Sequence, residues 1–263
     1  MDVNERTLKL PGFHRLVFGR DGVFVANERD VYIGDALVTY GEFSHLEIDE
    51  LRRHVDADTT VIDAGANVGT HAVAFAKMAC RVIAIEPQPF VFYSLCAQIV
   101  LNSLQNVVCL HCGLGAAPGA IAAPKMDYSI RSNYGGVALE ADHVAREDYT
   151  VEIKTLDQVA AAYKVGGKVF LKIDVEGMER DVLVGGRTFI EAVRPVIYLE
   201  NDRPDRSEAL LAYLDELGYD VVRHRPALFN PNNYFGEQTN KFAELVSLNE
   251  LCVPRQPSRT AST

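Results

Sequence analysis

The residues best suited by type and spacing to do chemistry are acids that end short apolar runs. Val61-Ile62-Asp63-Ala64-Gly65-Ala66-Asn67-Val68-Gly69-Thr70 reads as a buried strand, then an acidic, glycine-rich turn that opens a helix, with Ala72, Phe75, Ala76 and Ala79 following at roughly helical spacing. Glycines at such a turn let the backbone approach a ligand closely, and the helix start adds oriented N–H donors. The dinucleotide fingerprint G-x-G-x-x-G is missing, because Asp63 stands at its first glycine position and would repel a diphosphate. An Asp-x-Gly-x-x-x-Gly turn suits instead a nucleotide with a cationic amino-acid end, such as S-adenosylmethionine (SAM). Roughly twenty residues on, Arg81-Val82-Ile83-Ala84-Ile85-Glu86-Pro87 is a second apolar run ending in a carboxylate, the position that accepts ribose hydroxyls in adenine-nucleotide folds. Taken singly, Asp63 is equally a helix cap and Glu86 a surface loop acid. Together, in strand–turn–helix–strand order, they point to SAM.

A second set of acids lies further on. Lys168-Val169-Phe170-Leu171-Lys172-Ile173-Asp174-Val175-Glu176 delivers Lys172, Asp174 and Glu176 to one side of an extended strand. Pro195-Val196-Ile197-Tyr198-Leu199-Glu200-Asn201-Asp202 ends the same way. Carboxylates at strand exits are costly to bury unless they pair or act on a ligand. Glu176 also reads as a cap for a helix starting near Gly177, with Lys172 its ion partner. Of the histidines, His45 lies where a lid over the cofactor would be; His71 and His224 read as ordinary surface or core residues.

The elements that must position these groups are legible in outline. Strands are expected at 60–63, 81–86, 106–112, 168–174, 195–200 and 219–223, and helices at 70–79, 88–102, 155–163, 177–190 and 207–217. This alternation predicts an α/β fold, a doubly wound and mostly parallel sheet whose ligands sit at the carboxyl ends of the strands. Residues 12–34 alternate as small antiparallel strands, and a helix is expected near 44–55 with Ser44 as its cap. Residues 113–150 read as a long excursion of short strands and loops between strands three and four, of the kind that carries function, with Asn133-Tyr134-Gly135-Gly136 either a close approach to an acceptor or only a turn. Phe242–Leu248 reads as a last strand and Leu228–Phe235 as an aromatic wall of the acceptor pocket or plain loop packing. The expected organisation is one domain: residues 1–57 an N-terminal extension or lid, 58–253 the SAM-binding core, and 254–263 a frayed tail.

At 263 residues and 48% hydrophobic, the chain can bury a substantial core. A formal charge of −10 argues against nucleic acid as partner, and Arg203, Arg206, Arg223 and Arg225 read as solvated surface. No apolar run is long enough for a membrane span and no secretory signal is visible, so a cytoplasmic location is expected. Cys109-Leu110-His111-Cys112 lacks a second ligand pair for zinc and reads as strand cysteines, and the five cysteines fit a reducing compartment.

These motifs together resemble the FkbM-type SAM-dependent methyltransferases, a branch of the class I methyltransferase fold. The resemblance rests on the Asp63–Gly69 turn, Ile85-Glu86-Pro87, Leu101-Asn102, Val151–Asp157, Arg194-Pro195, Leu199-Glu200 and Tyr40-Gly41-Glu42-Phe43. Leu171-Lys172-Ile173-Asp174-Val175-Glu176-Gly177-Met178-Glu179 is its most specific part. It implies a Rossmann-like sheet and methyl transfer to hydroxyls of sugars and secondary metabolites, with a small molecule or glycan as acceptor. Asp63, Gly65, Asn67, Gly69 and Thr70 would hold the amino-acid end of SAM and Glu86 with Pro87 its ribose. Gly113 would lie near the adenine, and Glu42 and Asp174 would complete the pocket. A sugar hydroxyl needs a general base or a metal to shed its proton; Asp174 and Glu176 are the first candidates, with Lys172 keeping a carboxylate ionised and His45 a further base. Asp174, Glu200 and Asn201 would be the oxygen ligands if magnesium took part. The competing readings are an N-methyltransferase of a small molecule, a non-catalytic SAM-binding module, and a nicotinamide-dependent oxidoreductase.

Overall fold

A computed structural model describes residues 6–136 and 149–256. The chain opens with a small antiparallel sheet, β1 (Thr7–Lys9), β2 (His14–Phe18) and β3 (Val23–Asn27), followed by α1 (Ile33–Tyr40) and α2 (His45–Leu51). Then come β4 (Thr60–Ala64), α3 (Thr70–Ala76), β5 (Arg81–Ile85), α4 (Pro89–Leu101) and β6 (Val107–Leu110). The excursion holds β7 (Gly113–Leu114), β8 (Gly119–Ala123) and β9 (Tyr149–Lys154), paired as a second small sheet. The remainder is α5 (Leu156–Ala162), β10 (Val169–Ile173), α6 (Glu179–Gly185), α7 (Arg187–Val193), β11 (Val196–Glu200), α8 (Pro204–Glu216), β12 (Tyr219–His224) and β13 (Asn249–Pro254).

The main sheet has the order β12-β13-β11-β10-β4-β5-β6. β4, β5, β6, β10 and β11 pair in parallel, whereas β13 is antiparallel to both its neighbours. This is the predicted doubly wound α/β sheet, with one reversed strand near its edge. Period-two alternation divides the strand residues between two cores. Ile62, Ala64, Ile83, Leu171 and Leu199 pack under α5–α8, while Val61, Val82, Phe170 and Tyr198 pack under α1–α4 and the N-terminal sheet. Phe170 is fully buried with its ring 5.8 Å from that of Phe75, so truncating it to alanine would cost about 3–5 kcal/mol. Asp63, Lys172, Asp174, Glu86 and Glu200 share the parity of this second set, so the strands deliver them toward the α1–α4 side.

The structure departs from the expected elements in four places. α1 was not foreseen: it is eight residues long, runs straight on from alternating strands, and stops where Gly41 takes a positive φ and returns its N–H to Leu37. The helix expected over 177–190 is two helices, broken at Gly185-Gly186, where a Cβ on Gly185 would meet the Gly115 carbonyl at 2.1 Å. The last strand is not Phe242–Leu248, where Leu245, Val246 and Leu248 are exposed, but Asn249–Pro254. Its buried Asn249 and Glu250 conceal it from a hydrophobicity reading. Pro254, expected to begin a frayed tail, pairs with Tyr219, and Arg255 bonds Asp215 and Asp220; residues 257–263 lie outside the described residues.

Candidate active site

Two clefts open at the carboxyl ends of the central strands. One is lined by Ile85, Glu86, Pro87, Cys112, Gly113, Leu114, Val175 and Met178, apolar walls around one buried carboxylate. The other is a cavity of about 610 Å³ whose walls include Tyr32, Phe43, Glu47, Asn67, His71, Glu200, Arg203, Leu228 and Asn249. Gly65, Glu86, Gly135, Asp174 and Glu176 line both. The clefts therefore meet at the ends of β4, β5 and β10.

Glu86 is held from below. Its two carboxylate oxygens accept the backbone N–H groups of Gln88 and Asn67 at 2.8 and 3.0 Å. Burial pushes its pKa up to about 7, against the pull of those two donors. Gly65 turns at φ +78, and a Cβ there would overlap the Asp174 carbonyl at 1.7 Å, so β4 and β10 close on each other only through glycine. Asn67 also takes a positive φ and folds its Oδ1 onto the Val68 N–H.

Asp63, expected to contact the cofactor, is fully buried beneath this turn and lines neither cleft. Its partner is Lys172, directly opposite in register and 3.7 Å away. Burial raises the Asp63 carboxyl above its usual range despite that ammonium. Lys172 reaches Asp174 Oδ2 at 3.1 Å as well, and although burial alone would lower its pKa, Asp174, Asp63 and Glu47 together raise it. Lys172 is thus a buried counter-ion of the turn rather than a group facing ligand, whereas Asp174 keeps its side chain 40% exposed at the meeting point.

Glu176 sits at positive φ and accepts a hydrogen bond from Arg203 Nη2 at 2.9 Å. Burial and the nearby Asp174 push its pKa up to about 7 against the pull of Arg203. Capping of the following turn falls to Glu179, whose Oε1 accepts the N–H groups of Val175 and Gly177. Arg203 and Arg206 are not free surface as expected: they clamp Glu176 and the Gly177 carbonyl. The Glu200 carboxylate leaves Oε2 buried without a hydrogen-bond partner among the described residues, and burial beside Asp174, Glu176 and Asp202 pushes it up to about 10. Oxygens of Asp174, Glu176 and Glu200 lie within 4.8 Å of one another. Of the expected trio, Asp174 and Glu200 stand in this cluster, and Asn201 donates its side-chain N–H to Glu250 Oε1 at 3.1 Å.

Other expected positions move out of the site. Glu42 accepts from Arg20, Asn230 and the Tyr234 N–H, so it clasps the N-terminal segment to the 230–234 loop and lines neither cleft. His45 is buried between Asp21 and Asp49, 3.7 and 3.3 Å away, and does not line the cavity. Thr70 and Gly69 start α3 and line neither cleft. Pro87, Gly113 and Asn67 do line the clefts, and so do Asn133, Gly135 and Gly136 of the excursion. The aromatic wall is not Phe229, Tyr234 or Phe235 but Tyr32 and Phe43; only Leu228 of the expected segment lines the cavity. Glu47 was not singled out in the sequence and His71 read as an ordinary histidine, yet both face the cavity side by side. No pattern along the chain marked them, because they come from different helices, α2 and α3, and meet only through tertiary packing.

The sequence matches the methyltransferase FkbM domain over residues 63–221, more than half of the chain. It is 28% identical over 149 residues to the hexuronic acid methyltransferase AglP of Haloferax volcanii, covering 56% of this chain and 58% of that protein, and so spans less than two thirds of that relative's length. It is 26% identical over 182 residues to Methyltransferase 1 of Beauveria bassiana, covering 61% of this chain and 73% of that one. Among solved structures, methyltransferase FkbM from Methylobacillus flagellatus KT aligns at a TM-score of 0.47 and 15% identity, covering 84% of this chain and 55% of that chain. The chain belongs to the FkbM methyltransferase family.

Proposed function

We propose that this protein transfers a methyl group from SAM to a hydroxyl of a sugar, in a glycan or a glycosylated metabolite. The observation that carries the reading is the meeting of an apolar cleft floored by Glu86 with a larger polar cavity, at Gly65, Asp174 and Glu176. The residues fit the cosubstrate: Ile85, Leu114 and Met178 offer an apolar slot for adenine, and Glu86 has lone pairs left for ribose hydroxyls after its two backbone bonds. Asn67, Gly65 and Asp174 border the path between the clefts, where the amino-acid end would lie. Asp63 and Lys172 act from beneath, by fixing the turn.

The sulfonium supplies an activated methyl group, so the protein's task is alignment of an acceptor oxygen and removal of its proton. Asp174 and Glu176 stand where both ligands would meet, suited to orient the acceptor hydroxyl. The carbohydrate assignment draws on the similarity to a hexuronic acid methyltransferase and on a cavity rich in carboxylate, amide and imidazole groups with few aromatic walls.

The test is calorimetric titration with S-adenosylhomocysteine (SAH) and, separately, NAD, with EDTA or added magnesium. Binding of SAH alone, unchanged by EDTA, supports the reading. Failure to bind SAH in any condition sinks it.

A further inference from the structure

We propose that His71 is the base that takes the proton from the acceptor hydroxyl and that Glu47 is the positioning residue that sets its tautomer. This rests on the methyltransferase reading above. His71 Nε2 lies 2.9 Å from Glu47 Oε1, an ion-pair separation with the ring N–H off the direct line. Both side chains are nine-tenths buried and both line the large cavity with Asp174. They come from different helices, α3 and α2, so the pair is made by tertiary packing.

Glu47 is itself braced. Its Oε2 accepts the Asn249 side-chain amide at 3.0 Å; that amide also donates to Tyr198 Oη at 2.7 Å, and Tyr198 Oη lies 2.8 Å from His224 Nδ1. Burial alone would raise Glu47, but His71, Lys172 and His224 bring it below the usual carboxylate range. An ionised carboxylate only accepts, so it selects the tautomer with hydrogen on Nε2. Nδ1 then carries the lone pair, and no described residue bonds it.

The strand-exit carboxylates are already engaged by cations of the protein. Asp174 already accepts from Lys172, and Glu176 from Arg203. Each thus has a protein cation within hydrogen-bond distance, whereas no described residue bonds His71 Nδ1. In the transfer, the acceptor's O–H proton passes to Nδ1 while its oxygen forms the new C–O bond to the methyl carbon. The S–C bond breaks with its electron pair left on sulfur, giving SAH, the methyl ether and an imidazolium facing Glu47.

The experiment uses the full chain, labelled with 15N-histidine and loaded with SAH. Long-range 1H–15N spectra, with the His71 signals identified by their loss in H71N, are expected to show the proton on Nε2 and a bare Nδ1. E47Q is expected to mix the two tautomers. A proton held on Nδ1 in the unsubstituted protein overturns the assignment. A second arm follows labelled methyl transfer from SAM to glucose, glucuronate and their methyl glycosides. On any that accepts, H71N is expected to lower kcat ~100-fold with SAH affinity held within about twofold. Turnover within about threefold of the unsubstituted protein overturns the role. Absence of SAH binding would instead bring down the methyltransferase reading, and the tautomer spectra, repeated without SAH, would still decide whether the dyad exists.

Discussion

Lys172 and Asp63 face each other across the parallel register of β10 and β4, ammonium 3.7 Å from carboxylate, both out of contact with solvent. The same ammonium serves Asp174, so one buried cation holds the glycine turn and the exit of β10 together. K172M leaves Asp63 uncompensated in the core and is expected to lower stability by about 3–5 kcal/mol. Urea denaturation reads this, and K172M/D63L should recover most of the loss because no lone charge remains buried. A loss under ~1 kcal/mol in K172M would show that the pair is not holding the turn.

Gly65 is the tightest backbone approach of the site. G65A would put a methyl group inside contact distance of the Asp174 carbonyl at a φ that alanine resists. The expected outcome is a folded protein with a displaced turn and no measurable SAH binding, or one that fails to fold. Full SAH affinity in G65A would refute the close approach.

Glu86 offers two acceptor oxygens, each taking a backbone N–H, and an amide can replace only one of them. E86Q turns an N–H toward a backbone N–H or a ribose hydroxyl and should weaken SAH binding by roughly 10-fold or more, the range of one buried hydrogen bond lost with a group left unpaired. The comparison with 2′-deoxy-SAH closes the argument: it should lose affinity on the unsubstituted protein and little more on E86Q.

Glu200 gives a pH-dependent stability with a definite sign. Its folded pKa, pushed up to about 10, lies above the ordinary 4.5, so the folded state favours the protonated form. That contribution is fully present below pH ~4.5 and is lost as pH rises toward ~10. E200Q removes the titration and should be the more stable protein at pH 7, by roughly 2–3 kcal/mol, with the advantage gone at pH 4. Thermal melts of both proteins across that range would show whether their curves converge at acid pH; parallel curves would count against it.

The parallel strands and their order of appearance could be read from apolar runs that end in acids, because such runs are buried on both faces and have few alternative fates. Asp174, Glu176, Glu86, Pro87 and Gly113 reach the clefts for the same reason: strand direction alone takes them there. Position along the chain could not tell which acids would be spent on protein partners. Glu42 and Asp63 carry the same charge as Glu86, yet one is clasped by Arg20 and Asn230 and the other is sealed above Lys172. His45 and His71 likewise differ only in which way their helices turn. β13 was hidden because its inward residues are polar, each with a partner contributed by a remote segment.

Asn249 and Glu47 join the beginning of the cavity wall to its end, across 202 positions of chain. On a ribosome, the residues of the apolar cleft emerge well before β13 does. A nascent chain can therefore assemble its nucleotide pocket while the acceptor side still stands open to water, its Glu47 without the amide that braces it. On the proposed reading, methyl transfer to the acceptor waits for β13, the last strand among the described residues, to slide in beside β11.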